Sequence, residues 1–292
     1  MPMKVSGFTF VRNAIKYDYP VVEAIRSILP ICDEVVVAVG NSEDDTLALI
    51  QSIDSPKIRI IETVWDDSLR EGGRVLAQET DKAFAAISPD ADWAFYIQGD
   101  EIVHEQYLPT IKAAMQQHKD NAKVDGLLFK YKHFYGSYDY VGEATRWYRR
   151  EIRVIKNRKD IYSYRDAQGF RKGDNQKLNV KLIDAYIYHY GWVRDPRAMQ
   201  GKQLSFNRMY HSDEWIETNI PKAEEFDYAG VDALALFKDT HPAVMQERVN
   251  RINWKFDYDL SYRRFNLKDR IRRFVEGITG YRLWEYKNYR II

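Results

Sequence analysis

An apolar run over residues 92–98 (Asp-Trp-Ala-Phe-Tyr-Ile-Gln) leads directly into Gly99, Asp100 and Glu101. Carboxylates at the end of a strand can hold a hard cation such as Mg2+ or Mn2+ against a diphosphate, because such ions take oxygen ligands. The plainer reading is a solvated acidic turn. Far away in the chain, His189 lies in Tyr188-His189-Tyr190-Gly191-Trp192. Its imidazole suits Mn2+ better than Mg2+; alternatively it is a packed, hydrogen-bonded residue among aromatics. The loop Gly40-Asn41-Ser42-Glu43-Asp44-Asp45-Thr46 offers Asp44 and two hydroxyls to a ribose or a base, while its acids would repel phosphate. No GxGxxG fingerprint is present. Gly72 and Gly73, between Arg70 and Arg74, let a backbone approach a ligand, with arginine charge for phosphate.

Short β-rich runs alternate with helical patterns through the first half of the chain. Strands are predicted at 5–11, 34–39, 57–62 and 92–98, with helices at 19–29, 43–53 (Ser42 as N-cap) and 70–87. This alternation calls for a parallel sheet, whose ligands bind beyond the carboxyl ends of the strands. Three loops then face the ligand: 10–13, 40–46 and 98–101. Further strands are predicted at 126–135, 152–156 and 185–190, and helices at 197–210, 243–258 and 267–278. Pro196 suggests a boundary, giving a domain over 1–195 and a helical region with a basic aromatic tail over 196–292.

The 292 residues suffice for one large domain or one domain with an appendage. Hydrophobic residues (45%) and charged residues (30%) are in the range of a globular protein, which excludes a disordered or fibrous chain. The 21 Tyr and 7 Trp serve packing or sugar stacking. The near-neutral total charge of +1 argues against nucleic acid as a partner. It is unevenly spread: nine basic and three acidic residues over 260–292 give +6, leaving −5 for the rest. A single cysteine, Cys32, excludes an intrachain disulfide and fits a reducing cytoplasm. Neither a signal peptide nor a membrane-spanning run of about 18 apolar residues is visible.

Taken in order, these pieces resemble glycosyltransferase family 2, of the GT-A fold. The likeness is carried by Phe10-Val11-Arg12-Asn13, Pro20 and Ala24-Ile25-Arg26-Ser27-Ile28-Leu29, and Cys32-Asp33-Glu34-Val35-Val36-Val37 leading into Gly40–Thr46. Gln98-Gly99-Asp100-Glu101 is similar to the Asp-x-Asp metal motif, and His189-Tyr190-Gly191-Trp192 to the late histidine that completes the metal site. The resemblance covers about residues 5–195. It implies a Rossmann-like mixed sheet flanked by helices and an inverting transfer of sugar from a nucleotide-diphosphate donor, UDP-linked by default, to a saccharide or lipid-linked acceptor. The setting it implies is cell-surface polysaccharide or lipopolysaccharide synthesis. Asp100 and His189 would hold Mn2+ or Mg2+, and Asp166 would be the base, with Glu143 and Glu151 as alternatives. Donor contacts are expected from Phe10, Arg12, Asn13, Asn41, Asp44, Gly73, Gln98 and Gly99. Arg171 and Lys172 could reach the phosphates, and the Tyr and Trp residues of 133–148 could shelve the acceptor. Two departures stand out. The family's acidic pair aligns with Val39 and Gly40, so a base-reading carboxylate is missing, and Gln98 replaces the first Asp of the metal motif.

Two other readings compete: a nucleotidyltransferase, disfavoured by the lack of glycines after the first strand, and a carbohydrate- or nucleotide-binding module that has lost catalysis. In the tail, Leu267, Ile271, Phe274, Val275 and Ile278 are interleaved with basic residues. Such a helix either packs its apolar stripe on the domain, or lies on an anionic membrane at the inner face of the cell.

Overall fold

The structure is a computed structural model that describes residues 2–69, 72–220 and 223–292; Arg70 lies outside them. The first half follows the predicted alternation: β1 (Val5–Val11), α1 (Val21–Ile28), β2 (Glu34–Gly40), α2 (Thr46–Gln51), β3 (Ile58–Thr63), α3 (Arg74–Ala85) and β4 (Trp93–Tyr96). β1 pairs in parallel with β2 and β4, and β2 with β3. The unbroken apolar run of β2 is explained by cover on both faces. Ala24, Ile25 and Ile28 of α1 share a buried cluster with Val35 and Val37, whereas Ala83 and Phe84 of α3 pack with Phe8, Val36 and Ala38. Cys32 is buried under β1, its Sγ 3.2 Å from where a Cβ on Gly7 would stand.

The sheet continues through β5 (Glu101–Val103), then, after α4 (Leu108–His118), β6 (Gly126–Tyr135), β7 (Tyr140–Gly142), β8 (Arg150–Lys156), β9 (Ile161–Tyr164), β10 (Gly169–Lys172) and β11 (Gln176–Trp192). The strand order is β3-β2-β1-β4-β8-β6-β11-β10-β9, with β8 antiparallel to both β4 and β6. This is the mixed sheet flanked by helices expected from the sequence. The predicted strand at 185–190 is one end of a 17-residue strand. β11 runs parallel to β6, with register shifts between Leu182 and Tyr186 and between His189 and Trp192. Its partners decide the site: His189 stands opposite Glu101 on β5 and opposite His133 on β6.

Residues beyond β11 form α5 (Pro196–Arg208), α6 (Asp213–Asn219), β12 (Leu234–Leu236), α7 (Gln246–Asn250), α8 (Leu267–Thr279) and β13 (Tyr289–Ile291). Pro196 opens a helix: it is the first residue of α5, and Asp195 caps it by accepting from the Arg197 amide. β12 pairs with β7, and β13 extends the main sheet beside β11.

Three expectations are corrected. The helix predicted over 243–258 stops at Asn250. Beyond it Trp254, Phe256 and Tyr258 alternate at a spacing of two and reach Tyr138, Tyr135 and Tyr140, an extended use of an aromatic run. α2 starts at Thr46 after Asp45, not after Ser42, because the Ser42 hydroxyl accepts from the Asn13 amide instead. The apolar stripe of α8 does not pack on the domain: Leu267, Phe274 and Ile278 are 70–74% exposed.

Candidate active site

A cavity of about 810 Å3 opens at the carboxyl ends of β1 and β4. It brings together Phe10, Arg12, Asn13, Gln98, Gly99, Asp100, Asp166 and His189 of the sequence-predicted set. Asn41 and Asp44 lie outside its lining. The Asp44 carboxylate is spent on its neighbours, accepting from the amide of Lys16 in the segment after β1 and from the hydroxyl of Thr46. Asn41 accepts from the Trp65 amide. Asn13 sits at φ 56°, a left-handed conformation asparagine tolerates, and its side chain accepts from the Glu43 amide at 2.7 Å. Arg12 crosses to Asp67 (2.6 Å) and lies over the Trp65 ring. Asp66 and Asp67 line the cavity from the loop after β3.

Asp100 is buried at the centre of this arrangement. Its Oδ2 accepts from the Lys202 ammonium at 3.0 Å and lies 3.8 Å from Arg194, which is wholly buried. Burial alone would raise the Asp100 carboxyl, but Lys202, with His189 and Arg194 beside it, holds it well below the usual carboxylate range. Burial and the nearby Arg194 push the Lys202 ammonium down to about 8, against the pull of Asp100. Two cations thus stand beside this one carboxylate. Neither cation stands out in the sequence: Lys202 is an ordinary helical lysine.

Oδ1 of Asp100 faces His189 Nε2 at 3.7 Å. A relay fixes what that nitrogen carries. Burial holds both histidines neutral, His189 at about 4 and His133 at about 3. His133 Nε2 lies 2.7 Å from the Tyr148 carbonyl and must donate to it. Its Nδ1 is therefore an acceptor, and the contact at 3.0 Å requires His189 Nδ1 to donate. The lone pair of His189 then lies on Nε2, towards Asp100. Two acceptors facing each other with no proton between them suit a divalent cation. Among the described residues no third His, Cys, Asp or Glu completes a cluster with them, so further positions would fall to phosphate oxygens and water. Gly191 keeps the space open: a Cβ there would stand 2.5 Å from the His189 ring and 3.1 Å from Asp100.

Glu101 is committed elsewhere. It forms a two-pronged ion pair with Arg153 at 2.6 and 2.7 Å and accepts from the Tyr131 hydroxyl at 2.7 Å, all of it buried. Arg153 also lies over the Tyr96 and Tyr131 rings and lines the cavity. Gln98 donates to the carbonyl of Ala167, tying the end of β4 to the Asp166 loop.

That loop is a tight turn in which Arg165 and Ala167 are both left-handed, at φ 58° and 61°. Asp166 between them accepts from Tyr210 at 2.9 Å through Oδ2. Gly73 lies directly behind: a Cβ on it would meet Asp166 and Tyr210 at 2.7 Å. Glu151 and Glu143 do not line the cavity. Burial raises Glu151 to about 8, and Gln168 donates to it at 3.1 Å; Glu143 is bound by Arg273 at 3.1 Å. Arg171 and Lys172 also point elsewhere, towards Tyr286 and Asp125. Of the aromatic stretch 133–148, Tyr148 lines the cavity, as does Trp192.

No family model and no curated protein matches the chain. Among solved structures it is similar to S. aureus TarS, residues 1–349, in complex with UDP: 17% identity over 76% of this chain and 68% of that one, TM-score 0.44. It is similar to the 4-diphosphocytidyl-2C-methyl-D-erythritol synthase of Anaerococcus prevotii at 12% identity, over 64% of this chain and 88% of that one, TM-score 0.37. Glucosyl-3-phosphoglycerate synthase from Mycobacterium tuberculosis, in complex with Mn2+, UDP and phosphoglyceric acid, shares 21% identity over 46% of this chain and 43% of its own, TM-score 0.30. The chain thus spans about two thirds of the TarS fragment and less than half of the mycobacterial synthase.

Proposed function

We propose that this chain is an inverting GT-A glycosyltransferase of family 2 type, which moves a sugar from a nucleotide-diphosphate donor to an acceptor hydroxyl. One observation carries the reading: Asp100 with the lone pair of His189, the ammonium of Lys202 and the carboxylate of Asp166 meet in one cavity at the strand ends, with Arg194 buried 3.8 Å from Asp100. Asp100 Oδ1 and His189 Nε2 would hold Mn2+ or Mg2+. When bound, the ion would neutralise charge on the leaving diphosphate. Lys202 and Arg194 fix the carboxylate of Asp100 and add positive charge near the same leaving group. Trp65 and Phe10, whose rings are 5.7 Å apart, offer the donor's base an aromatic wall, and Asp66 or Asp67 a carboxylate to read it; uridine is the default base. Asp166 takes the acceptor's proton on Oδ1, because Tyr210 already occupies Oδ2. Residues 1–195 form the catalytic unit in this reading, and 196–292 complete it with Lys202 and Tyr210. A saccharide or lipid-linked acceptor in cell-surface polysaccharide or lipopolysaccharide synthesis, on the cytoplasmic side, fits this chemistry.

Thermal shift and turnover across a panel of nucleotide sugars, with and without Mn2+, test the proposal. A UDP-sugar that stabilises the protein with Mn2+ and is consumed with an acceptor supports it. Stabilisation without turnover leaves a binding module, and pyrophosphate release from a nucleoside triphosphate makes it a nucleotidyltransferase. The role of Asp166 has its own signature. Asp166→Asn lowers kcat by about a hundredfold or more with a much smaller change in donor affinity. Equal losses in both would make Asp166 a binding residue.

A further inference from the structure

Helix α8 is inside out. Leu267, Ile271, Phe274 and Ile278 recur at helical spacing on one face, and that face is exposed at 74, 42, 70 and 70%. The opposite face carries Asp269, Arg272, Arg273 and Glu276, and these charges hold the helix to the protein. Arg273 donates to the Glu143 carbonyl at 2.9 Å, Glu276 accepts from Arg149 at 2.6 Å, and the Thr145 hydroxyl donates to Asp269. A helix on a globular surface normally buries its apolar stripe and wets its charges. Tyr281 and Trp284, 54 and 61% exposed, follow just beyond the end of the helix, and Lys268 stands 5.4 Å from the Trp284 ring.

We propose that this face is a docking surface for an anionic lipid bilayer. The apolar side chains enter the boundary between headgroups and acyl chains, and the basic residues around them meet lipid phosphates. The charge singles out this occupant. Lys268 and Arg270 are exposed on the two flanks of the stripe, Arg263 and Arg264 precede it, and residues 260–292 together carry +6. A second copy would set one such segment against another, at a cost in repulsion. A bilayer of anionic lipids offers a greasy interior beneath negative charge, which is what a basic amphipathic helix with an aromatic rim matches. No helix among the described residues is long and apolar enough to cross a membrane, so the contact is peripheral. The same helix is tied to the cavity: Arg149 binds both Glu276 and Glu285, and its chain neighbour Tyr148 lines the cavity. Docking would therefore favour an acceptor carried on lipid, a corollary that rests on the proposed glycosyl transfer; the docking itself does not.

Co-sedimentation of the full chain with vesicles of phosphatidylcholine and phosphatidylglycerol, against vesicles of phosphatidylcholine alone, is the test. It uses no donor or acceptor, so its result is independent of whether the chain transfers sugar. The wild type should partition to the anionic vesicles at least about tenfold more strongly. The pair Phe274→Ser/Ile278→Ser and the pair Lys268→Glu/Arg270→Glu should each lower that partition by about tenfold or more. These side chains face solvent, and an unchanged circular dichroism spectrum confirms that each variant is folded. Three results would overturn the proposal: no binding to anionic vesicles, binding that neither pair of substitutions weakens, or a dimer in light scattering that Phe274→Ser/Ile278→Ser dissolves.

Discussion

Asp100→Asn should remove sugar transfer by about a thousandfold or more, a loss of roughly 4 kcal/mol from the transition state, and it should also lower the melting temperature. The second effect follows from what Asp100 balances. Without its charge, Lys202 and Arg194 are two cations buried near each other, held by neutral groups such as the Gly191 carbonyl (2.8 Å from Lys202) and the Tyr17 carbonyl (2.7 Å from Arg194). Leaving a buried charge unpaired costs on the order of a few kcal/mol. The two effects separate in a double variant. Asp100→Asn/Lys202→Met should recover much of the lost stability while transfer stays absent. The pH dependence carries a further mark. The folded carboxyl of Asp100 is depressed, so its stabilisation is present above the unfolded value, near pH 4, and fades as the pH falls below it. The gap in melting temperature between wild type and Asp100→Asn should close accordingly in acid. Transfer by Asp100→Asn within about tenfold of wild type would discard Asp100 as the centre of the site.

Arg153→Met should be the most destabilising single change among the residues lining the cavity. It leaves the Glu101 carboxylate buried, with the Tyr131 hydroxyl and the Gln98 amide as its remaining donors. Removing one partner of a buried ion pair costs about 3–5 kcal/mol, which for a chain of this size is roughly 10 °C in melting temperature. Replacing both partners is far milder, because no charge is stranded. Glu101→Met/Arg153→Met should therefore melt above Arg153→Met alone. If the double variant is the less stable of the two, the pair contributes attraction beyond its desolvation cost and this account of it fails.

The sequence made the strand ends legible but not their partners. β1 and β2 announce themselves as apolar runs, and β4 points straight at Asp100, because buried parallel strands need cover on both faces. Asp100 and Glu101 are an adjacent acidic pair in the sequence, yet Asp100 turns to His189 and Glu101 to Arg153. What separates them is the antiparallel register of β8 against β4 and β6, a long-range pairing that local pattern does not encode. Lys202 was invisible for a related reason: it reaches Asp100 across 102 positions from a helix whose own sequence says only that it is helical. Asp66 and Asp67 follow a predicted strand, but nothing local shows that they line the cavity. Periodicity found α8 and gave the direction of its stripe; which side meets the protein was settled by Glu143, Thr145 and Arg149, more than a hundred positions upstream. In 243–258 the spacing of two in Trp254, Phe256 and Tyr258 is the signal of the extended segment, while the helical pattern ahead of it holds only as far as Asn250.

Cys32 gives the molecule a practical property. It is the only cysteine, it is 2% exposed beneath β1, and burial holds its thiol in the neutral form. Since the thiolate is what attacks a maleimide or an iodoacetamide, the folded chain is close to inert towards such labels. A thiol placed on the outer stripe of α8 would then be the one reactive handle on the protein. A polarity-sensitive dye or a spin label attached there could follow depth at a lipid surface in the native chain, with no background cysteine to remove first.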